Sequence, residues 1–491
     1  MTLDTAPRGA TAPRAFLGPD FLLGSETARR LYAATGDVPI VDYHCHLSAQ
    51  ELADDRRFAS ITEVWLGADH YKWRLMRGAG VDERLITGDA DDWDKFLAFA
   101  TVLGRAIGNP IHHWSHLELQ RYFGIDDILD ADSARDIYDR ANAKLRQPEF
   151  SARGLVRASG VEVICTTDDP LDALQHHEAL AAAADFDTLV VPGFRPDGVL
   201  RIERDAFGPY VERLAALTGS GLGDFEGLVA ALAQRIAYFD ERGCTVSDQS
   251  LEIFPKRSTS DAEADVILRR RLAGETLTAD EASDFRWALL RRLAKLYHER
   301  DWVMELHINA LRDANPRAMR LIGHDTGFDA IGEDRPIEAL REFLGELEDA
   351  DALPRTLLFT VDEGQNKQLA VLATCFPGSG IAAKVQLGNA WWFNDTIAGM
   401  AAQIRTFAEV GYLPAAVGMV TDSRSFLSYP RHEYFRRIVV DIVAQWVESG
   451  EFPANDATLA SILRDIFHDN AVRYFRFGVP LVGSGAAGGA A

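Results

Sequence analysis

Two histidines one residue apart, His44 and His46, stand at the end of a short apolar run, residues 38–41. Alternate side chains of a strand point to the same side. The spacing therefore predicts two imidazoles facing one way, close enough to share a metal ion. Far downstream a second apolar run, 416–420 (AVGMV), ends in Thr421, Asp422, Ser423 and Arg424. Two imidazoles and the Asp422 carboxylate would leave a coordination position open for water or substrate, as catalytic zinc sites do. Read as the first and last strands of one parallel barrel, the two runs bring His44, His46, Asp422 and Arg424 together. The plainer reading, two histidines in a polar turn, loses weight once Asp422 is counted.

Other residues offer chemistry at the ends of apolar runs. His307 in MELHINAL is a further ligand, a substrate donor or a core histidine, with local sequence not deciding among these. His112, His113 and His116 (HHWSH) place two rings on one helix face, but without a carboxylate the structural reading is favoured. Asp168 and Asp169 suit helix caps, and Asp248 also suits a general base or hydroxyl acceptor. Arg195 and Arg424 in so acidic a chain suggest a bidentate grip on a carboxylate or phosphate, against the simpler reading of surface ion pairs. Trp391 and Trp392 read as a pocket wall or as core packing.

These residues need elements to position them. Eight apolar runs read as strands: 38–41, 161–165, 188–191, 244–246, 302–306, 356–360, 383–387 and 417–420. Helical spacing fills the intervals, most clearly at 279–299, where Thr278 and Glu281 form a capping box, and from Pro336 to about 347. Buried strands alternating with helices indicate a parallel sheet covered on both faces. The expected class is α/β, a (β/α)8 TIM-type barrel with a helical insertion after strand 1 at about 48–160. The alternative is a doubly wound sheet, but the Gly-rich loop of dinucleotide binders is absent after strand 1, where HCHL stands. Residues 1–37 read as a lead-in, 38–480 as the catalytic barrel and 481–491 as a flexible tail.

The 491 residues are 47% hydrophobic and 25% charged, with a net charge of −23. That balance argues against nucleic acid or an anionic membrane as partner. Four cysteines without CxxC spacing point to reduced residues in the cytoplasm. The first residues lack the apolar segment of a signal peptide, and no apolar run reaches the length of a bilayer span.

The motifs VDYHCHL, HYKWRLMRGAGV, NPIHHWSHLELQRYFG, CTTDDP, FRPD, SDQSLE, MELHINALRDANPR, QLGNAWWFND and TDSRSFLSYPRHEYFRR occur in this order from about residue 15 to 480. Together they resemble the uronate (glucuronate) isomerases of the amidohydrolase superfamily. The resemblance implies interconversion of D-glucuronate with D-fructuronate and of D-galacturonate with D-tagaturonate, by proton transfer through an enediol. It implies His44, His46 and Asp422 as ligands of a divalent metal, usually zinc. His70 and Tyr71 match an HY pair on the insertion, and Arg195 and Arg424 match substrate-holding arginines. His307, Asp248 and one of Trp391 or Trp392 match further pocket residues. Tyr71 or Asp422 would move the proton. A small-molecule hexuronate is the implied partner, and a homo-oligomer, taken as a trimer, the implied assembly. The chain departs from the family pattern at Ser247-Asp248-Gln249, where the family more often has SDH, and at VDEGQN after strand 6. Competing classes are a metal-dependent hydrolase on the same barrel, which usually needs more histidine ligands, and a non-enzymatic sugar-binding protein, which needs neither the histidine pair nor Asp422.

Overall fold

The computed structural model describes residues 14–221, 223–389 and 391–483. The expected tail beyond 483 and the first thirteen residues lie outside them. Among the described residues the nine strands are β1 (Ile40–Asp42), β2 (Val161–Cys165), β3 (Leu189–Val191), β4 (Val246–Leu251), β5 (Val303–Ile308), β6 (Ala310–Leu311), β7 (Ala330–Ile331), β8 (Arg355–Thr360) and β9 (Val385–Leu387). They form a parallel sheet β1-β2-β3, a parallel sheet β4-β5-β8-β9 and an antiparallel pair β6-β7. Helices connect successive parallel strands, because parallel pairing requires a long crossover.

Period 2 sorts the strand residues between two apolar clusters. Val163, Cys165, Val303, Leu357 and Phe359 belong to one, and Ile164, Met304, Leu306 and Leu358 to the other. Both faces of the strands are therefore buried, which accounts for their nearly continuous apolar sequences. The pattern also carries polar groups inward. Glu305 and His307 share the parity of Val303, and both are buried.

Phe194 bridges the two parallel sheets. Its N–H donates to Val246 O at 3.0 Å, and its carbonyl accepts from Asp248 N at 2.9 Å. On the other side, Asp422 N donates to His44 O at 3.2 Å and His46 N to Ser423 O at 2.9 Å. The segment 417–420, expected as a strand, is not one. Gly418 (φ +73°) and Asp422 (φ 47°) interrupt the extended backbone, and a side chain at Gly418 would put its Cβ 2.6 Å from Ile466 O. Side chains replace the ladder: Gln386 Oε1 accepts from Val417 N at 3.2 Å, and Asn389 Nδ2 donates to Gly418 O at 3.0 Å.

Expected and observed strands agree closely at β2. Runs 244–246 and 302–306 were bounded too early, since β4 and β5 continue through Asp248 and His307. Polar residues inside these strands disguised their ends. Between β1 and β2 the chain is helical, including Ile61–Leu66, His70–Gly78, Asp92–Leu103, Pro110–Glu118 and Ala134–Leu145. The helix Ala279–Glu299 has the expected capping box. No helix among the described residues is long and apolar enough to cross a membrane.

Candidate active site

The ends of β1, β3 and β5 and the segment after Val420 meet at a cavity of about 420 Å³, lined in part by His44, His46, His70, Arg195, His307, Trp391, Trp392, Asp422 and Arg424. The backbone bonds between 44–46 and 422–423 fix the histidine pair against Asp422. His46 Nε2 lies 3.1 Å and His44 Nε2 3.4 Å from Asp422 Oδ1. On its other edge, His44 Nδ1 lies 2.9 Å from Glu305 Oε2. A carboxylate on Nδ1 sets the tautomer that presents Nε2.

Electrostatics separate the roles of these groups. Burial alone would raise the Asp422 pKa, but His44 and His46 outweigh it and hold the carboxyl well below its usual range. Burial lowers His46 to about 4, against the opposing effect of Asp422. His46 is thus neutral at pH 7, with its lone pair free for a ligand. For His44, burial is overcome by the Glu305 and Asp248 charges, and its pKa rises well above the ordinary value, so a metal ion on Nε2 would take the place of a proton there. His70 is lowered to about 4 by burial and by Arg424.

Two ring nitrogens and one carboxylate oxygen within 4.8 Å of one another, with His44 oriented from behind by Glu305, fit a divalent metal ion. Asp248, Glu305 and His307 make a second close group with His44. There, however, Asp248 contacts His307 Nδ1 at 2.8 Å and Arg195 Nη1 at 2.9 Å. A guanidinium already balances that carboxylate and is hydrogen-bonded to it, while Asp248 Oδ1, both Glu305 oxygens and both His307 nitrogens are buried without a hydrogen-bond partner among the described residues.

Most of the expected site residues line the same cavity. Asp248 stands behind its floor through the contacts just given. Trp391 packs edge-on against His307, with centroids 4.6 Å apart, and Trp392 against His70 at 5.4 Å. Asp69 caps the helix His70–Gly78 by accepting from Tyr71 N at 3.0 Å and Lys72 N at 3.1 Å, which places His70 at the cavity edge. Tyr71 instead lines a neighbouring cavity. Its hydroxyl is buried without a hydrogen-bond partner among the described residues, and burial pushes its pKa well above 10.

Sequence reasoning missed Glu305, whose signal was its two-residue offset from His307 on one strand face. It also missed Arg201, Arg204, Arg312, Asp313, His324 and Asp325, all of which line the cavity. Asp197, quoted in the FRPD motif without a role, accepts from Arg195 Nε at 3.0 Å.

Parallel strands that deliver an oriented histidine pair and a carboxylate to an arginine-rich cavity define a metal-fitted α/β enzyme. The family model for glucuronate isomerase matches residues 14–475. Uronate isomerase of Caldanaerobacter subterraneus subsp. tengcongensis is 47% identical over 462 residues, covering 94% of this chain and 99% of that one. Among solved structures, uronate isomerase of Thermotoga maritima has a TM-score of 0.89 at 34% identity, covering 94% of this chain and 100% of that one. Glucuronate isomerase of Caulobacter crescentus has a TM-score of 0.87 at 27% identity, covering 94% and 97%. The chain belongs to the glucuronate isomerase family and is an enzyme of the isomerase class. The resemblance carried by its motifs is borne out.

Proposed function

We propose that this cavity interconverts D-glucuronate with D-fructuronate, and D-galacturonate with D-tagaturonate, through an enediol. The observation that carries this reading is the convergence of His44, His46 and Asp422 with Arg195 and Arg424 in one cavity. Zinc is the divalent ion that best suits this N,N,O donor set; held by His44 Nε2, His46 Nε2 and Asp422 Oδ1, it would supply Lewis-acid polarisation of a substrate oxygen.

The chain's own residues carry the rest. Arg195 gives Nε to Asp197 and Nη1 to Asp248, leaving Nη2 donors for the C6 carboxylate. Burial opposes the charge of Arg195, but the Asp197 and Asp248 charges outweigh it and raise its pKa, so it stays cationic. Arg424 donates to the oxygens on C1 and C2 as charge develops there. A proton must leave C2 and arrive at C1. Asp422, ionised at neutral pH, is the preferred carrier. Tyr71 is the weaker candidate, because its buried phenol resists ionisation. Trp391 and Trp392 wall the sugar, and His70 and His307 offer hydrogen bonds to its hydroxyls.

We read the two parallel sheets, joined through Phe194 and through the segment 416–423, as one (β/α)8 barrel spanning 38–480 with its insertion at 48–160. The four described cysteines are free, and with the charge of −23 they suit a cytoplasmic enzyme that takes a small hexuronate rather than nucleic acid. A homo-oligomer, taken as a trimer, is the expected assembly, which sedimentation equilibrium would check.

The test is NMR of zinc-loaded protein with each uronate in deuterated water. The expected product is the ketose carrying deuterium at C1. No ketose from either uronate would overturn the proposal, and absence of deuterium from C1 even after prolonged incubation at equilibrium, when the carrier has turned over many times in deuterated water, would replace proton transfer by a hydride shift.

A further inference from the structure

Hexuronates in water are overwhelmingly cyclic hemiacetals, whereas an enediol can form only from the open-chain aldehyde. None of the residues assigned above has been given the opening of the ring. The same cavity contains a pair with no role so far: His324 Nδ1 lies 2.5 Å from Asp313 Oδ2, and both residues line the cavity beside Arg424 and the histidine pair. A carboxylate on Nδ1 orients an imidazole and directs its Nε2 away from the pair. The Nε2 atom of His324 has no protein partner among the described residues.

The pair is fixed by the fold. Asp313 follows β6, and His324 follows the helix Pro316–Ile322. Asp313 N donates to Asp329 Oδ1 at 3.1 Å, and Ala314 N to Phe328 O at 2.7 Å, which pins one end of the loop to the other. The helix that carries His70 and Tyr71 grips the loop from outside: Arg74 Nη1 donates to Asp329 O at 2.7 Å, and the Arg77 guanidinium lies 4.3 Å from the Phe328 ring centre. Asp313 adopts φ 52°, in the left-handed region that Asp tolerates better than most non-glycine residues.

We propose that Asp313 and His324 form an acid–base pair that opens the pyranose ring of the substrate before isomerisation. The inference rests on the uronate isomerase reading. In this step protonated His324 gives its Nε2 proton to O5 as the C1–O5 bond breaks. The O1 hydroxyl proton passes to water, and the C1=O1 double bond forms. His324, more than half exposed, then recovers a proton from solvent. One proton is delivered and one released, and no oxidant or reductant is required. Asp313 positions His324 by holding its Nδ1 edge.

The test is the α/β anomerisation of 2-deoxy-D-glucuronate, which can open and close but lacks the C2 oxygen needed to become a ketose. It is followed by exchange NMR with zinc-loaded protein. Wild type should speed anomerisation at least about tenfold over buffer and over heat-denatured protein. His324→Gln should abolish the acceleration, and its conversion of D-glucuronate should become independent of enzyme concentration at high enzyme, limited by spontaneous ring opening. Asp313→Asn should retain part of the acceleration with a displaced pH profile. Anomerisation by wild type at the buffer rate overturns the proposal whatever the variants do, as does wild-type acceleration in folded His324→Gln. Failure of D-glucuronate to give any ketose would instead count against the isomerase reading, so the two failures remain distinct.

Discussion

His44 and His46 present ring nitrogens to a carboxylate at the edge of a cavity, whereas His112, His113 and His116 direct theirs to the protein itself. His112 Nδ1 lies 2.9 Å from Leu103 O, His113 Nδ1 3.2 Å from Tyr434 Oη and His116 Nδ1 2.6 Å from His112 O. Leu129 N donates to His116 Nε2 at 2.9 Å. Both groups bring imidazoles within ring-contact distance: His44 and His46 have centroids 5.4 Å apart, and His112 and His116 4.5 Å. Proximity of rings therefore does not define a metal site. The difference lies in an ionised carboxylate held by the same geometry, and in nitrogens that the fold orients but leaves available.

The largest effect expected from breaking this contrast comes at Asp422. Asp422→Ala should cut turnover by about three to four orders of magnitude, removing a ligand and the preferred proton carrier together. Steady-state kinetics on zinc-saturated protein measures it; a loss below tenfold would contradict both roles. Arg195→Ala should raise KM for uronates by about 30- to 100-fold, the equivalent of 2–3 kcal/mol for a lost charged contact. An unchanged KM would remove Arg195 from the carboxylate. Glu305→Gln should weaken zinc binding about 10- to 100-fold by loosening His44, as competition with a chromophoric chelator would show.

Glu305 also shows where the sequence could be read and where it could not. The strand-end histidines, Asp422 and both arginines were legible because each closes an apolar run and spacing of two sets the facing side. Glu305 was hidden inside its strand, where a carboxylate looks like an interruption of the core. The segment 417–420 looked like a strand because composition does not reveal the left-handed turns at Gly418 and Asp422. The segment from 312 to 329 holds one short helix, Pro316–Ile322, and otherwise has no periodicity, so the placing of Asp313 and His324 at the cavity depends on tertiary contacts, among them those with the helix His70–Gly78. The insertion itself was plain, since its apolar residues recur at helical spacing.

The smallest effects belong to the second histidine group. His116→Gln should leave turnover within about twofold but cost about 1–3 kcal/mol of stability, from the loss of a buried acceptor for Leu129 N. Burial lowers the His116 pKa from 6.5 to about 4, so between these values the unfolded chain binds the extra proton. Stability from this residue is full above pH 6.5 and is lost as pH falls toward 4, up to about 3 kcal/mol. Urea unfolding across that window should show a shallower acid limb in the variant than in wild type; identical limbs would contradict the assignment.

The most direct measurement is anomalous diffraction at the zinc edge from crystals of the zinc-loaded protein. The account predicts a peak bonded to His44 Nε2, His46 Nε2 and Asp422, and none at His112, His113 or His116. A peak at the second group, or zinc seated away from Asp422, would contradict it.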